Sequence, residues 1–401
     1  MNISRESNIR FFGWILVIGV KLAVVIVFHL WSLNNGRQGL APVVIGGDDG
    51  EYYLYAAEQI GRTGVFPRDA PSVWPILVGW LMLTTGWDGT LPFKAILLAA
   101  SLGTAVVGVH LLRLLAADLY RCRPTAAAEV MTAGLLVLFP STLWVASYSI
   151  YRDAVIYFLA LVAVYAAYRL LIRRQRVYGI ALAAALLGLV YFRWYAALSL
   201  AAGGVVWLLL TGGGGRRRLE RRLAAAAVVV VAFVGVIMTG QTTLFMDALE
   251  TRDLYDYNEG GSNLGLSYSR SSVYVWPLIY TYTMITNLLG PLPNQIDGLT
   301  SLMGFALEVP FLLYVLVRLC RSRAARTQNA MLIVYMTAVW FVLIAVYNDN
   351  VGTGLRLRVL GYQFLFILFV LDVTARTMVI RRMAAWSRSA RWRTPQPAVL
   401  T

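Results

Sequence analysis

Apolar residues in this chain come in long blocks, not in the alternation of a sheet. Ten blocks stand out, at roughly 11–31, 90–112, 127–149, 153–172, 177–192, 194–211, 222–240, 300–319, 329–347 and 359–380. The first, Phe11 to Trp31, is about the length needed to cross roughly 30 Å of hydrocarbon. It lacks a small-residue cleavage site and further blocks follow, so it reads as a retained span. The pattern predicts an all-α polytopic membrane protein with about ten transmembrane helices.

One further stretch tests the count. "VYVWPLIYTYTMITNLLGPLPNQ", 273–295, is apolar enough to cross. A crossing there would carry the basic run "RLCRSRAAR", 318–326, to the outside, against the positive-inside bias. The stretch 273–290 is therefore read as re-entrant or interfacial, with an ordinary crossing helix as the alternative.

Composition agrees with the block pattern. The chain is 59% hydrophobic and 14% charged, where a soluble domain carries roughly 25% charged residues. The net charge of +15 raises the question of nucleic acid, but its distribution answers it. With the N-terminus inside, 24 of the 35 lysines and arginines fall in cytoplasmic segments and 10 on the other side. This is a membrane-topology signal, and no nucleic-acid partner is expected. The two cysteines lie in arginine-rich loops, where a structural disulfide is not expected. The organisation is one transmembrane domain, 1–386, followed by a cytoplasmic tail, 387–401, expected to be disordered. Outside lie the loop 32–89 with its juxtamembrane helices, the loop 241–299, and the short segment 348–358.

The candidate chemistry gathers on the outside. In "IGGDDGEYYLYAAEQIGRTG", Asp49, Tyr53 and Ala57 follow the spacing i, i+4, i+8, as do Asp48, Tyr52 and Ala56. On a helix each set forms one stripe, with the carboxylate near the N-terminus. There the dipole stabilises it, and one of the two serves equally well as a plain cap. "IYRDAV" puts Arg152 and Asp153 in the next outside turn. "VYFRWYAAL" puts Arg193 among aromatics. "YNDNVGTGLRLRVLGYQ" puts Arg356 and Arg358 just before the last span. Arginines outside oppose the positive-inside tendency, which points to an anion there. The structural readings are a local Arg152–Asp153 pair, a snorkelling Arg193, and ordinary headgroup contacts for Arg356 and Arg358. The acidic loop 247–270 reads as a surface loop or an acceptor-binding loop. Lys21 and Glu308 lie within spans, and nothing in the sequence pairs them. With only two histidines a His-rich metal site is excluded, and a divalent cation is not indicated.

The order Asp49, Tyr53, Ala57, Gly64, Pro71, Pro75 after a first crossing helix resembles the GT-C superfamily of membrane glycosyltransferases. Protein O-mannosyltransferases and the lipid A aminoarabinose transferase are similar enzymes. At motif level the resemblance covers about 45 residues; at the level of architecture it covers most of the chain. It implies an inverting transfer of a hexose or pentose from a polyprenyl-phosphate-linked donor to an acceptor hydroxyl. The acceptor is a glycan, a lipid or a protein. It implies Asp49 as general base with Asp48 beside it, and Arg356, Arg358, Arg152 and Arg193 at the donor phosphate. Tyr53, Tyr52, Trp74 and Asp153 are then candidate acceptor or sugar contacts. The implied setting is a bacterial cytoplasmic membrane, with both termini inside and the site on the outer face. A lipid-linked polysaccharide polymerase is the alternative, and a transporter without chemistry a weaker one.

Overall fold

The computed structural model describes residues 3–40, 49–65, 72–147, 149–211, 264, 266, 271–296 and 298–391. Asp48, Pro71, the expected span 222–240, most of the loop 247–270 and the last ten residues of the tail lie outside them.

The described residues form twelve α-helices and no sheet. They are α1 (Ile3–Asn34), α2 (Asp49–Thr63), α3 (Trp74–Thr85), α4 (Leu91–Tyr120), α5 (Ala126–Leu138), α6 (Pro140–Ser147), α7 (Asp153–Leu171), α8 (Tyr178–Leu210), α9 (Trp276–Leu289), α10 (Leu299–Arg321), α11 (Gln328–Tyr347) and α12 (Val351–Arg391). Seven are long and apolar enough to cross a membrane: α1, α4, α7, α8, α10, α11 and the Val351–Ile380 part of α12.

Three expected spans take a different local form. The block 127–149 is broken into α5 and α6 at Phe139, whose backbone is extended (φ −57°, ψ 136°). The cause is Pro140, which disfavours helical geometry in the residue before it. The blocks 177–192 and 194–211 form a single helix bent at Arg193, where the backbone leaves the helical region (φ −164°, ψ 86°). The bend folds the chain back. The first arm starts where Tyr178 meets Arg169 near the end of α7 (2.8 Å). The second arm stacks Tyr195 on Tyr347 at the end of α11 (ring centroids 5.3 Å). It finishes where Trp207 donates to the Gln328 carbonyl at the start of α11 (2.8 Å). Both arms thus share one end of the bundle, and Arg193 stands at the other.

The segment 348–358 is also not a loop. α12 begins at Val351, and Asn350 Oδ1 accepts the Thr353 N–H at its start (2.9 Å). The "GTG" and both arginines are therefore helical. α9 runs along the last turns of α11: Tyr280 reaches Val342, Thr283 reaches Ala345 (3.0 Å), and Asn287 reaches Asn348 (2.9 Å). Leu264 returns to the same end, donating to Asp349 (3.0 Å).

The centre of the bundle is one apolar core from α4, α5, α7, α8, α10, α11 and α12, with Val17 of α1. A buried ion pair fixes α10 to it. Glu308 of α10 meets Arg358 of α12, and both are almost fully buried. The same carboxylate accepts the Ser141 hydroxyl (2.7 Å) and the Ser141 N–H at the start of α6. Lys21 does not join them; its Nζ lies 3.4 Å from the Thr142 carbonyl.

Two predictions follow from this packing. A Cβ at Gly203 would lie 2.4 Å from Met336 Cα and 2.8 Å from its N, whereas one at Gly204 meets only the flexible Met336 Cε at 3.3 Å. Gly203→Ala should destabilise by about 1–3 kcal/mol and lower the unfolding temperature in detergent, with Gly204→Ala close to wild type. Glu308→Ala should cost about 3–5 kcal/mol, because it leaves the Arg358 charge buried alone. Adding Arg358→Met should restore most of that loss in the same melting experiment.

Candidate active site

The site grows out of the "YRD" turn. Arg152 is the residue before α7 and Asp153 is its first residue. A carboxylate there gains from unpaired backbone N–H groups and from the dipole. Asp153 is only 1% exposed, so it needs cations as well. The bend in α8 delivers one: Arg193 Nη1 lies 2.9 Å from Asp153 Oδ1. The second turn of α12 delivers another, Arg356 Nη1 at 3.9 Å from Asp153 Oδ2.

The three helices are thereby tied at one point. Arg356 also lies over the Tyr151 ring (4.5 Å to the centroid), and Arg193 over the Tyr195 ring (5.7 Å). Such contacts hold a guanidinium in place without neutralising it. Tyr157, one turn down α7 from Asp153, donates its hydroxyl to the Arg356 carbonyl and anchors that turn of α12.

One carboxylate faces Arg193 and Arg356, with Arg152 adjacent in the chain. Arg193 is 8% exposed, and its Nε and Nη1 make no aligned hydrogen bond among the described residues. The 2.9 Å contact is therefore an ion pair with poor hydrogen-bond geometry. Guanidiniums gathered at one point suit an anion with several oxygens.

The first loop is pinned beside this point. Trp74, at the start of α3, is fully buried and donates its indole N–H to the Ile150 carbonyl (2.8 Å). Its ring meets Phe93 at 5.4 Å and Phe192 at 6.3 Å. Tyr53 and Ala57 of α2 lie in the same buried cluster as Trp74, Ile150 and Ala154. Arg37 reaches Glu51 in the first turn of α2 (3.1 Å). The two helices of the first loop thus dock against the turn that carries Asp153.

The expected site residues divide accordingly. Asp153, Arg193 and Arg356 come together, with Arg152 next to them in the chain. Arg358 stands apart in the Glu308 pair. Trp74 and Tyr53 are core residues that hold the first loop, while Tyr52 is 42% exposed. Asp49 is the first residue of α2, and Asp48 lies outside the described residues. Tyr157 also belongs to the site; its signal in the sequence is a tyrosine hydroxyl four residues, about one helical turn, after Asp153.

No protein-family model and no curated protein matches the chain. Solved structures of ArnT from Cupriavidus metallidurans do resemble it. The apo form has a TM-score of 0.51 at 16% identity, covering 95% of this chain and 63% of ArnT. The form bound to undecaprenyl phosphate has a TM-score of 0.53 at 16% identity, covering 94% of this chain and 64% of ArnT. The chain thus spans less than two thirds of the ArnT chains it resembles. The chain shares the overall helical fold of ArnT.

Proposed function

We propose that this protein is a membrane glycosyltransferase that moves one sugar from a polyprenyl-phosphate donor to an acceptor hydroxyl. The observation that carries this reading is the gathering of Arg193 and Arg356 on buried Asp153, in a fold shared with an ArnT structure bound to undecaprenyl phosphate. A departing lipid phosphate is an anion with several oxygens, and it requires such a cluster.

In the proposed reaction the acceptor oxygen attacks the anomeric carbon from the face opposite the phosphate. The C–O bond to the phosphate breaks and the configuration inverts. The hydroxyl proton passes to a carboxylate, and the lipid phosphate leaves with the bonding pair. Arg193 and Arg356 receive the phosphate, with Arg152 beside them. Arg358 supports this from behind by fixing α12 to α10. Asp49 is our assignment for the base. Tyr53 and Ala57, which share its stripe on α2, are buried with the residues flanking Asp153. Tyr52, which shares the Asp48 stripe, is exposed. Exposed Tyr52 remains a candidate sugar contact.

The proposed setting is a bacterial cytoplasmic membrane with this end of the bundle facing outward. The opposite end carries Arg113, Arg121, Arg123, Arg169 to Arg176 and Arg318 to Arg326, the signature of a cytoplasmic face. The acceptor is a glycan, lipid or protein on the outer side.

Purified protein with a labelled polyprenyl-phosphate sugar tests the reading. Arg193→Gln and Arg356→Gln should each lower donor kcat/KM by about 10- to 150-fold, the value of one hydrogen bond to a charged group. Asp49→Asn should lower kcat by about 100- to 10,000-fold. Full activity in a folded Asp49→Asn protein would remove it as the base, and loss only in Asp48→Asn would move the role to its neighbour. Lipid movement without any glycosidic product would overturn the enzyme reading itself.

A further inference from the structure

The proposed reaction leaves the other end of the bundle unused, and a cavity of about 470 Å3 lies there. Its walls include Tyr120 at the end of α4, Tyr314, Arg318 and Arg321 of α10, Arg323 in the following turn, and Asp372 of α12. Asp372 lies 16 residues beyond Arg356 on the same helix, roughly 24 Å along its axis. The cavity is therefore separate from the Asp153 cluster.

Its chemistry is that of an anion site. Asp372 is its one carboxylate, and both of its oxygens are taken. Arg318 Nε lies 2.7 Å from Oδ2, and Ser322 Oγ donates to Oδ1 at 2.5 Å. These bonds tie α10 to α12 and stiffen the wall. They leave nothing for Arg321 and Arg323, neither of which has an ion-pair partner among the described residues. The size fits a headgroup, since small-molecule sites run from roughly 300 to 1,000 Å3. The wall is also amphipathic. Tyr314 is 51% and Val317 43% exposed. They continue the cavity toward the apolar belt of α10, where Leu313 and Leu307 are also exposed. An acyl chain has a surface to follow there, and a free ion has no use for it.

We propose that this cavity binds the phosphate headgroup of an anionic membrane lipid, with Arg321 and Arg323 on the phosphate and the acyl chains along Tyr314 and Val317. Basic pockets between helices at a cytoplasmic surface recognise lipid headgroups in this manner. The inference is independent of the sugar-transfer reading.

Native mass spectrometry of the full chain, delipidated and then titrated with phosphatidylglycerol or phosphatidylcholine, tests it. Wild type should hold one phosphatidylglycerol in preference to phosphatidylcholine. Arg321→Gln with Arg323→Gln should weaken that adduct by about tenfold or more, as expected for lost charge-assisted contacts. The pair Arg173→Gln with Arg174→Gln, at the same end but outside the cavity, should leave it unchanged. Equal weakening in both pairs would reduce the effect to general surface attraction and overturn the site. So would a cavity pair that binds like wild type with an unaltered melting temperature. Displacement of the adduct by millimolar inorganic phosphate would assign the site to free phosphate and overturn the lipid assignment.

Discussion

Asp153 is the group on which the arrangement of this end of the bundle depends. A carboxylate at 1% exposure is costly to bury, and its cost is offset only if cations come to it. They come from two distant parts of the chain: Arg193 at the bend of α8 and Arg356 in the second turn of α12. Neither can reach Asp153 unless its helix is placed correctly. α8 must leave helical geometry at Arg193 itself, so that the two arms separate and the side chain projects from the apex. α12 must begin close to Val351, so that its second turn stands level with the start of α7. The Tyr157 hydroxyl on the Arg356 carbonyl holds that level from the α7 side. One carboxylate thus fixes the relative heights of three helices.

The second buried pair shows why both are needed. Arg356 and Arg358 are two residues apart on a helix, so their side chains leave it about 200° apart. The first faces α7 and the bend of α8. The second faces α10, where Glu308 awaits it and also receives the N-terminus of α6. α12 is gripped from both sides. The Pro140 break also belongs to this arrangement, because the Ser141 N–H freed there is the one that Glu308 accepts. A straight helix through 127–149 would have spent that N–H on its own ladder.

This geometry explains how far the residues could be read in advance. Hydrophobic blocks and arginine placement reveal the helices and their ends, because the bilayer imposes a length and a charge bias on every span. The same signals identify Arg152, Asp153, Arg193 and Arg356 as unusual, since each stands at the end of a block that carries few cations. They do not show that Arg358 differs from Arg356. "GTGLRLR" reads as a loop, and in a loop the two arginines form one group. Only the helix starting at Val351 puts them on opposite faces. Trp74 and Tyr53 pose another question. An aromatic near a membrane edge suits a sugar, an interface or a core equally well. The choice is made by partners such as the Ile150 carbonyl, remote in sequence from Trp74. The bend at Arg193 was legible as a boundary between blocks, because a helix of 33 residues would be about 50 Å long if straight and could not fit the hydrocarbon.

The contact of Asp153 with Arg193 and Arg356 has a consequence for the proposed reaction. A cluster of bare arginines would bind a lipid phosphate tightly before and after sugar transfer alike, and uniform binding of that kind does not raise the turnover rate. Asp153 competes for the same guanidiniums. It lowers their attraction for the phosphodiester of the donor, which carries one charge. The attraction is larger for the phosphomonoester that forms as the sugar departs, because its charge is growing. The useful part of the interaction is thereby shifted toward the transition state. After transfer the same carboxylate reclaims Arg193 and Arg356 and opposes retention of the product. In this view Asp153 is neither a base nor a passive anchor. On the proposed reaction it would set how strongly the arginines hold a phosphate, from a position that the three-helix geometry keeps fixed.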